Sequence, residues 1–224
     1  MRIVALVTAD SRGAGEITAL SLVHGEPLLT HAVRGLLDSR YVDLVVVATP
    51  ARRVVMSAEA LRPLAEPRIR IVAAESVPQT LSALAPSVSD IFLVHDASRA
   101  FTPPEVVRAV VDAVRAGARA VVPVLPMADT VKLVDADGVI VGTQDRELLR
   151  TAQTPLGFTA DALLPAVASG ELDLLADLLA DLLAASGEQI HTVEGHPNAM
   201  RIATPFELTL AEAALTADRH EETL

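Results

Sequence analysis

The side chains available for chemistry are few in kind. Lys132 is the single lysine and cysteine is absent, which removes disulfides, thiolate metal sites and a cysteine nucleophile. The six histidines (His24, His31, His95, His191, His196, His220) have no zinc-ligand spacing, and the chain has neither a Gly-x-Ser-x-Gly elbow nor a Walker loop. Carboxylates, arginines and hydroxyls remain. They gather in three polar stretches that each follow an apolar run: Thr8–Gly15, His95–Arg99 and Pro126–Thr130. His95 orients the Asp96 loop rather than acting as a base, and His31, on an apolar helical face, reads as a core or surface histidine.

The elements that position these stretches alternate. Strands are predicted at Ile3–Thr8, Leu44–Ala48, Arg68–Ala73, Ile91–Val94 and Ala120–Val124, from β-branched apolar runs suited to burial on both faces. Between them, helical spacing marks Pro27–Ser39, Val54–Leu64, a short helix from Gln79, and Pro103–Ala116 with Thr102 as N-cap. This alternation predicts an α/β fold with a doubly wound, mostly parallel, Rossmann-like sheet. Ligands of such sheets bind at the carboxyl ends of the strands, where the three polar stretches lie.

After Thr130 the pattern changes. Val131–Val134 and Val139–Thr143 flank an Asp-Ala-Asp-Gly turn, which predicts a hairpin. Such a hairpin either projects to pair with another subunit or lies on the edge of the same sheet. Leu172–Ala185 reads as a helix, Ile190–Val193 as a strand, and Thr204–Ala217 as a helix opened by Thr204, Pro205 and Glu207 in a near capping box. His220–Leu224 reads as a frayed end. No linker divides residues 1–224, so one domain is expected.

Composition bounds the partners. Hydrophobic residues make up 51% of the 224 residues but aromatics only 2%, so the core is built from Val, Leu, Ala and Ile. The formal net charge of −11 argues against a nucleic-acid partner, which needs clustered cations, but leaves room for a small phosphorylated ligand. No signal peptide and no membrane span are read, and a soluble cytoplasmic protein is expected.

Five segments, in order, carry a resemblance: Gly25-Glu-Pro-Leu-Leu-Thr-His-Ala-Val, Val94-His-Asp-Ala-Ser-Arg, Val124-Leu-Pro-Met-Ala-Asp-Thr-Val-Lys, Asp145-Arg-Glu-Leu-Leu-Arg-Thr-Ala-Gln-Thr-Pro-Leu-Gly-Phe, and Val193-Glu-Gly-His-Pro-Asn-Ala-Met-Arg-Ile-Ala-Thr-Pro-Phe-Glu-Leu. Together the chain resembles the 2-C-methyl-D-erythritol 4-phosphate cytidylyltransferase family of the non-mevalonate isoprenoid pathway. The resemblance implies a nucleotide-diphospho-sugar transferase-like fold and a homodimer joined through the hairpin, about 131–143, as a projecting dimerisation arm. It also implies a reaction in which CTP and methylerythritol phosphate give the CDP-alcohol and pyrophosphate with Mg2+. By resemblance, Asp96 is the metal ligand and, with Ala9, Asp10, Ser11, Gly13 and Ala97, binds the nucleotide. Asp129, Thr130, Arg146, Thr154 and Arg201 bind the acceptor, and Arg12, Arg146 and Arg201 are catalytic. Read from spacing alone, Asp96 caps a turn, and Arg146 and Arg201 are solvated arginines.

The nucleotide side departs from the family pattern. Asp10 replaces the first glycine of the loop, and a carboxylate about 4 Å from a phosphate charge costs on the order of 4 kcal/mol at an effective dielectric near 20. Arg12, Gly13 and Gly15 partly rebuild a phosphate cradle. The family's Pro-Lys falls on Ile17-Thr18, its Gly-Gly on Ala73-Ala74, and of its Thr-Asp-Asp only Asp177 remains. Three readings stay open: an active cytidylyltransferase with a rearranged loop, a degenerate paralogue that binds a ligand or partners another subunit, and a nucleotidyltransferase for other substrates. On the chemistry alone the balance tips slightly to the second.

Overall fold

The period-2 alternation of apolar side chains sorts the first strands onto two cores. In β1 (Ile3–Thr8), Ile3, Ala5 and Val7 enter one core while Val4 and Leu6 enter the other. The same split runs through β4 (Leu44–Thr49), with Val45 and Val47 against Leu44 and Val46, and through β6 (Ile91–Asp96), with Ile91 and Leu93 against Phe92 and Val94. A sheet apolar on both faces must be covered on both. One face takes α1 (Leu28–Asp38), α2 (Val54–Leu61) and α4 (Pro104–Arg115), through Leu29, Ala32, Val33, Leu36, Leu61, Val107, Val110, Val111 and Val114. The other takes α3 (Val77–Ser82) and α5 (Ala160–Ala168), through Val77, Leu81, Leu163 and Ala166. The computed structural model describes residues 1–9, 17–84, 90–168 and 189–221, without side chains for 216–221. The helix expected at Leu172–Ala185, and with it Asp177, lies outside the described residues.

Among the described residues the main sheet has eight strands and is mixed, with most of them parallel. β5 (Ile69–Ala73), β4, β1 and β6 run side by side in parallel. β11 (Leu156–Thr159) then lies antiparallel between β6 and β7 (Ala120–Pro126). β12 (Ile190–Glu194) pairs parallel with β7, and β10 (Arg150–Ala152) antiparallel with its carboxyl half. The chain leaves β1 towards β4 and β5 and returns to β6 on the other side of β1. The crevice between the carboxyl ends of β1 and β6 is therefore a topological switch point, where ligands of open α/β sheets bind.

Several boundaries differ from the sequence reading for identifiable reasons. α4 starts at Pro104 with Pro103 as its N-cap, because the Thr102 hydroxyl instead donates to Arg99 O at 3.0 Å. α3 begins two residues early, at Val77, because Ser76 is the N-cap and accepts from Gln79 N–H. β2 (Leu22–Val23) and β3 (Glu26–Pro27) form a two-residue antiparallel pairing too short to leave a pattern in the sequence. The C-terminal helix, α6 (Pro205–Glu221), extends past Ala217, so His220 is helical. Its capping box forms: Glu207 Oε2 accepts from Thr204 N–H at 2.8 Å, and Glu207 N–H donates to Thr204 Oγ1 at 3.3 Å. No helix among the described residues is long and apolar enough to cross a membrane.

The hairpin forms as predicted, as β8 (Val131–Val134) and β9 (Ile140–Gln144), in a two-stranded sheet of its own rather than on the edge of the main one. Asp135 Oδ1 closes its turn by accepting from Asp137 and Val139 N–H at 3.0 and 2.9 Å. Leu133, Val134, Val139, Ile140 and Val141 all lie exposed along it, which makes it a projecting arm.

Candidate active site at the sheet switch point

Asp96 ends β6 and is almost fully buried. Its Oδ1 accepts from Ser98 N–H at 2.9 Å, and its Oδ2 lies 3.7 Å from Arg201 Nε. The turn-capping role and the charged role are thus both present in one carboxylate. Arg201 arrives from the segment before α6. That segment is anchored by Ile202 N–H donating to Ser98 O at 2.9 Å, which lays residues 201–202 directly across the Asp96 turn.

Arg99 is the residue that sequence reasoning passed over, although it closes the quoted Val-His-Asp-Ala-Ser-Arg segment. Its guanidinium bridges two carbonyls from distant parts of the chain, Ala199 O at 2.7 Å and Ala152 O at 3.0 Å. Burial lowers its pKa most, Asp96 opposes that shift and Arg201 adds to it, so the three charges share one site. Gln153 supports the same junction. Its Nε2 donates to His196 O, and its Oε1 accepts from His196 N–H, each at 2.9 Å. This clamp fits because residue 195 is glycine: a Cβ there would stand 2.2 Å from Gln153 Oε1.

Thr154 is buried one residue further along, and the Thr154–Pro155 peptide is cis. Its hydroxyl points into the protein, 3.2 Å from Asp96 N and 2.9 Å from His95 Nδ1. His95 itself is wholly buried, and burial pulls its pKa down to about 4 against an opposing pull from Asp96, so the ring is neutral at pH 7.

Ala9 and Ala97 lie side by side at the floor of the crevice. Ala97 N–H donates to Thr8 O at 3.1 Å and Ala9 N–H to Ala48 O at 3.0 Å, so both donors are engaged within the sheet. Asp10, Ser11, Arg12 and Gly13 lie outside the described residues, as does Gly15. Thr18, at the position of the expected lysine, serves its own turn: Thr18 N–H donates to Ser21 Oγ at 3.0 Å, and Thr18 Oγ1 accepts from Leu20 N–H at 3.2 Å. Ala74, from the expected Gly-Gly position, is buried and donates to Thr49 O at 3.0 Å.

Asp129, Thr130 and Arg146 are exposed at the base of the arm, where Arg146 Nη1 donates to Ala128 O at 2.7 Å. The structure therefore brings together Asp96, Ala97, Ala9, Thr154 and Arg201. Among the described residues no group of three or more His, Cys, Asp or Glu could cage a metal. Asp96 is one carboxylate at the crevice, which fits Mg2+ if substrate phosphate oxygens and water complete the shell.

A model of the 2-C-methyl-D-erythritol 4-phosphate cytidylyltransferase family matches residues 3–217. A 2-C-methyl-D-erythritol 4-phosphate cytidylyltransferase of Saccharopolyspora erythraea is 49% identical over 226 aligned residues, covering 96% of this chain and 100% of that protein. The protein of that name from Nocardia farcinica is 45% identical, covering 95% and 94%. Among solved structures, the 4-diphosphocytidyl-2C-methyl-D-erythritol synthase of Anaerococcus prevotii superposes with a TM-score of 0.80 at 23% identity, covering 96% of each chain, a likeness of fold. The 2-C-methyl-D-erythritol 4-phosphate cytidylyltransferase of Thermus thermophilus superposes with a TM-score of 0.69 at 28% identity, covering 94% of this chain and 98% of that one.

Proposed function

Since the chain belongs to the 2-C-methyl-D-erythritol 4-phosphate cytidylyltransferase family, we propose that it transfers the cytidylyl group of CTP to the phosphate of methylerythritol phosphate, releasing pyrophosphate. The single observation that carries this reading is the Asp96–Arg201 pair, 3.7 Å apart at the switch point between β1 and β6. An acceptor phosphate oxygen attacks the α-phosphorus, and the bond to the pyrophosphate oxygen breaks on the opposite side. No covalent enzyme step is needed, so the protein contributes position and charge.

Asp96 would hold Mg2+, which when bound neutralises phosphate charge. Arg201 stands beside the same spot and supplies a fixed cation. By family resemblance Arg12 adds charge, and Ala9, Asp10, Ser11, Gly13 and Ala97 bind the nucleotide. Asp129, Thr130 and Arg146 serve the acceptor from the arm base. The exposed aliphatic side chains along the arm support a homodimer in which the arm delivers these three residues to a partner's crevice. Thr154 keeps Asp96 in place through its hydroxyl.

The specific observation favouring a second reading, a degenerate paralogue, is Thr18. A neutral threonine stands at the family's lysine position, and its hydroxyl is used within its own turn. One assay separates the readings: pyrophosphate release from CTP and methylerythritol phosphate with Mg2+. Sustained release that requires both substrates is the expected result. CTP binding without release would make the chain a binding subunit. Release with a different nucleotide or acceptor would reassign its substrates.

A further inference from the structure

The junction between β6 and β11 contains a side-chain replacement for a missing rung of the sheet. Leu156 pairs with Val94 in antiparallel register, so continuing that register sets Pro155 opposite His95 and Thr154 opposite Asp96. Proline has no N–H to donate, and the ladder stops there. Asp96 N–H turns instead to Thr154 Oγ1 at 3.2 Å, and the same oxygen lies 2.9 Å from His95 Nδ1.

The direction of that second bond follows from counting donors. If Nδ1 carried the ring proton, it would donate to Thr154 Oγ1, and the Thr154 hydroxyl hydrogen would have no acceptor in this group. If Nδ1 is bare, the hydroxyl donates to it and the oxygen's lone pairs accept Asp96 N–H. Only the ring N–H at Nε2 is then left over; Nε2 makes no hydrogen bond of ordinary geometry among the described residues, and the Arg99 backbone is a neighbouring group that favours a proton on the ring. The second arrangement leaves fewer buried groups unsatisfied and is the stable one.

We infer that His95 is a positioning residue: its unprotonated Nδ1 orients the Thr154 hydroxyl, which in turn holds the Asp96 peptide and aims the carboxylate at the crevice. With Oδ1 on Ser98 N–H at 2.9 Å, Asp96 is fixed at its backbone and at one oxygen, and the Oδ2 side is presented toward Arg201. Thr154 therefore acts through Asp96 and does not itself offer its hydroxyl to a substrate. The turnover consequence rests on the cytidylyl transfer proposed above. The hydrogen-bond arrangement does not.

The test has two arms on the full chain. Long-range 1H–15N correlation spectra of the 15N-histidine-labelled protein at pH 7 are expected to show His95 as the Nε2–H tautomer. In Thr154→Val that preference is lost, and in Thr154→Ser it is kept. An Nδ1–H tautomer, an imidazolium, or a Thr154→Val spectrum unchanged at His95 overturns the inference. In the second arm, His95→Phe is expected to lower kcat at least tenfold with little change in KM for CTP. His95→Asn, whose side-chain oxygen overlays Nδ1 and can accept the hydroxyl, is expected to recover most of that loss. Equal losses in the two variants would reduce His95 to a packing role and overturn the inference. A wild-type protein without turnover would sink the proposed function and leave the tautomer to decide this one.

Discussion

Arg201 makes its pair with Asp96 from a side chain that is 45% exposed. An ion pair that open to solvent contributes at most about 1 kcal/mol to folding, whereas a cation fixed beside a reacting phosphate is worth about 10²–10³ in rate. Arg201→Ala is therefore expected to leave the melting temperature nearly unchanged while cutting kcat by about two to three orders of magnitude. Equal turnover in the variant would remove Arg201 from the site.

His95 has the opposite profile. Its folded pKa, about 4, lies below the ordinary 6.5, so the unfolded chain takes up a proton more readily. Its contribution to stability is present above pH 6.5 and is lost as pH falls from 6.5 to 4, by up to about 3 kcal/mol. Urea titrations across that range should show a shallower slope in His95→Asn than in wild type. Asp96 and Arg201 were legible in the chain because charged residues stood in recognisable strings. Arg99 and Gln153 were not, since their roles are contacts to Ala199, Ala152 and His196, separations of 43 to 100 residues that local pattern does not report.

Among the elements, β11 departs most from what local pattern predicts. It lies between β6 and β7 in the middle of the sheet, yet Leu-Gly-Phe-Thr after a proline reads as a loop. The reason for the glycine is across the layer: a Cβ on Gly157 would stand 2.4 Å from Val110 Cγ1 of α4. Gly157→Ala forces helix and sheet apart and should cost about 1–3 kcal/mol by overpacking. Phe158→Ala, which empties a fully buried position in the opposite core, should cost about 3–5 kcal/mol. Chemical denaturation of both variants checks the order, and a smaller loss in Phe158→Ala would contradict this packing. β1, β4, β6, α1 and α4 were readable because each carries its period over a full element, from six to twelve residues.

At the scale of the whole molecule, the arm sets Val134 and Ile140 opposite each other, 55% and 62% exposed. A row of aliphatic side chains in water on a two-stranded ribbon calls for a covering surface. Val134→Asp with Ile140→Asp is expected to convert a dimer to a monomer in sedimentation velocity and to abolish turnover together with it. Wild type sedimenting as a monomer at tens of micromolar would remove the arm from the proposed mechanism.

The small core under the β2–β3 turn joins Val23 and Leu28 to Ala100, Ile202 and Ala211, and His24 Nε2 lies 3.0 Å from Glu212 O, 188 positions along the chain. Local sheet pairings such as β1 with β4 can form while a chain is still being made, but this contact cannot. This small core, which borders the segment that Ile202 lays across the Asp96 turn, thus waits for α6 to emerge from the ribosome. A nascent chain stopped before Pro205 should already resist proteases across β1, β4 and β6 while remaining cleavable between Ile17 and Leu28, so competence for a ligand follows the synthesis of α6.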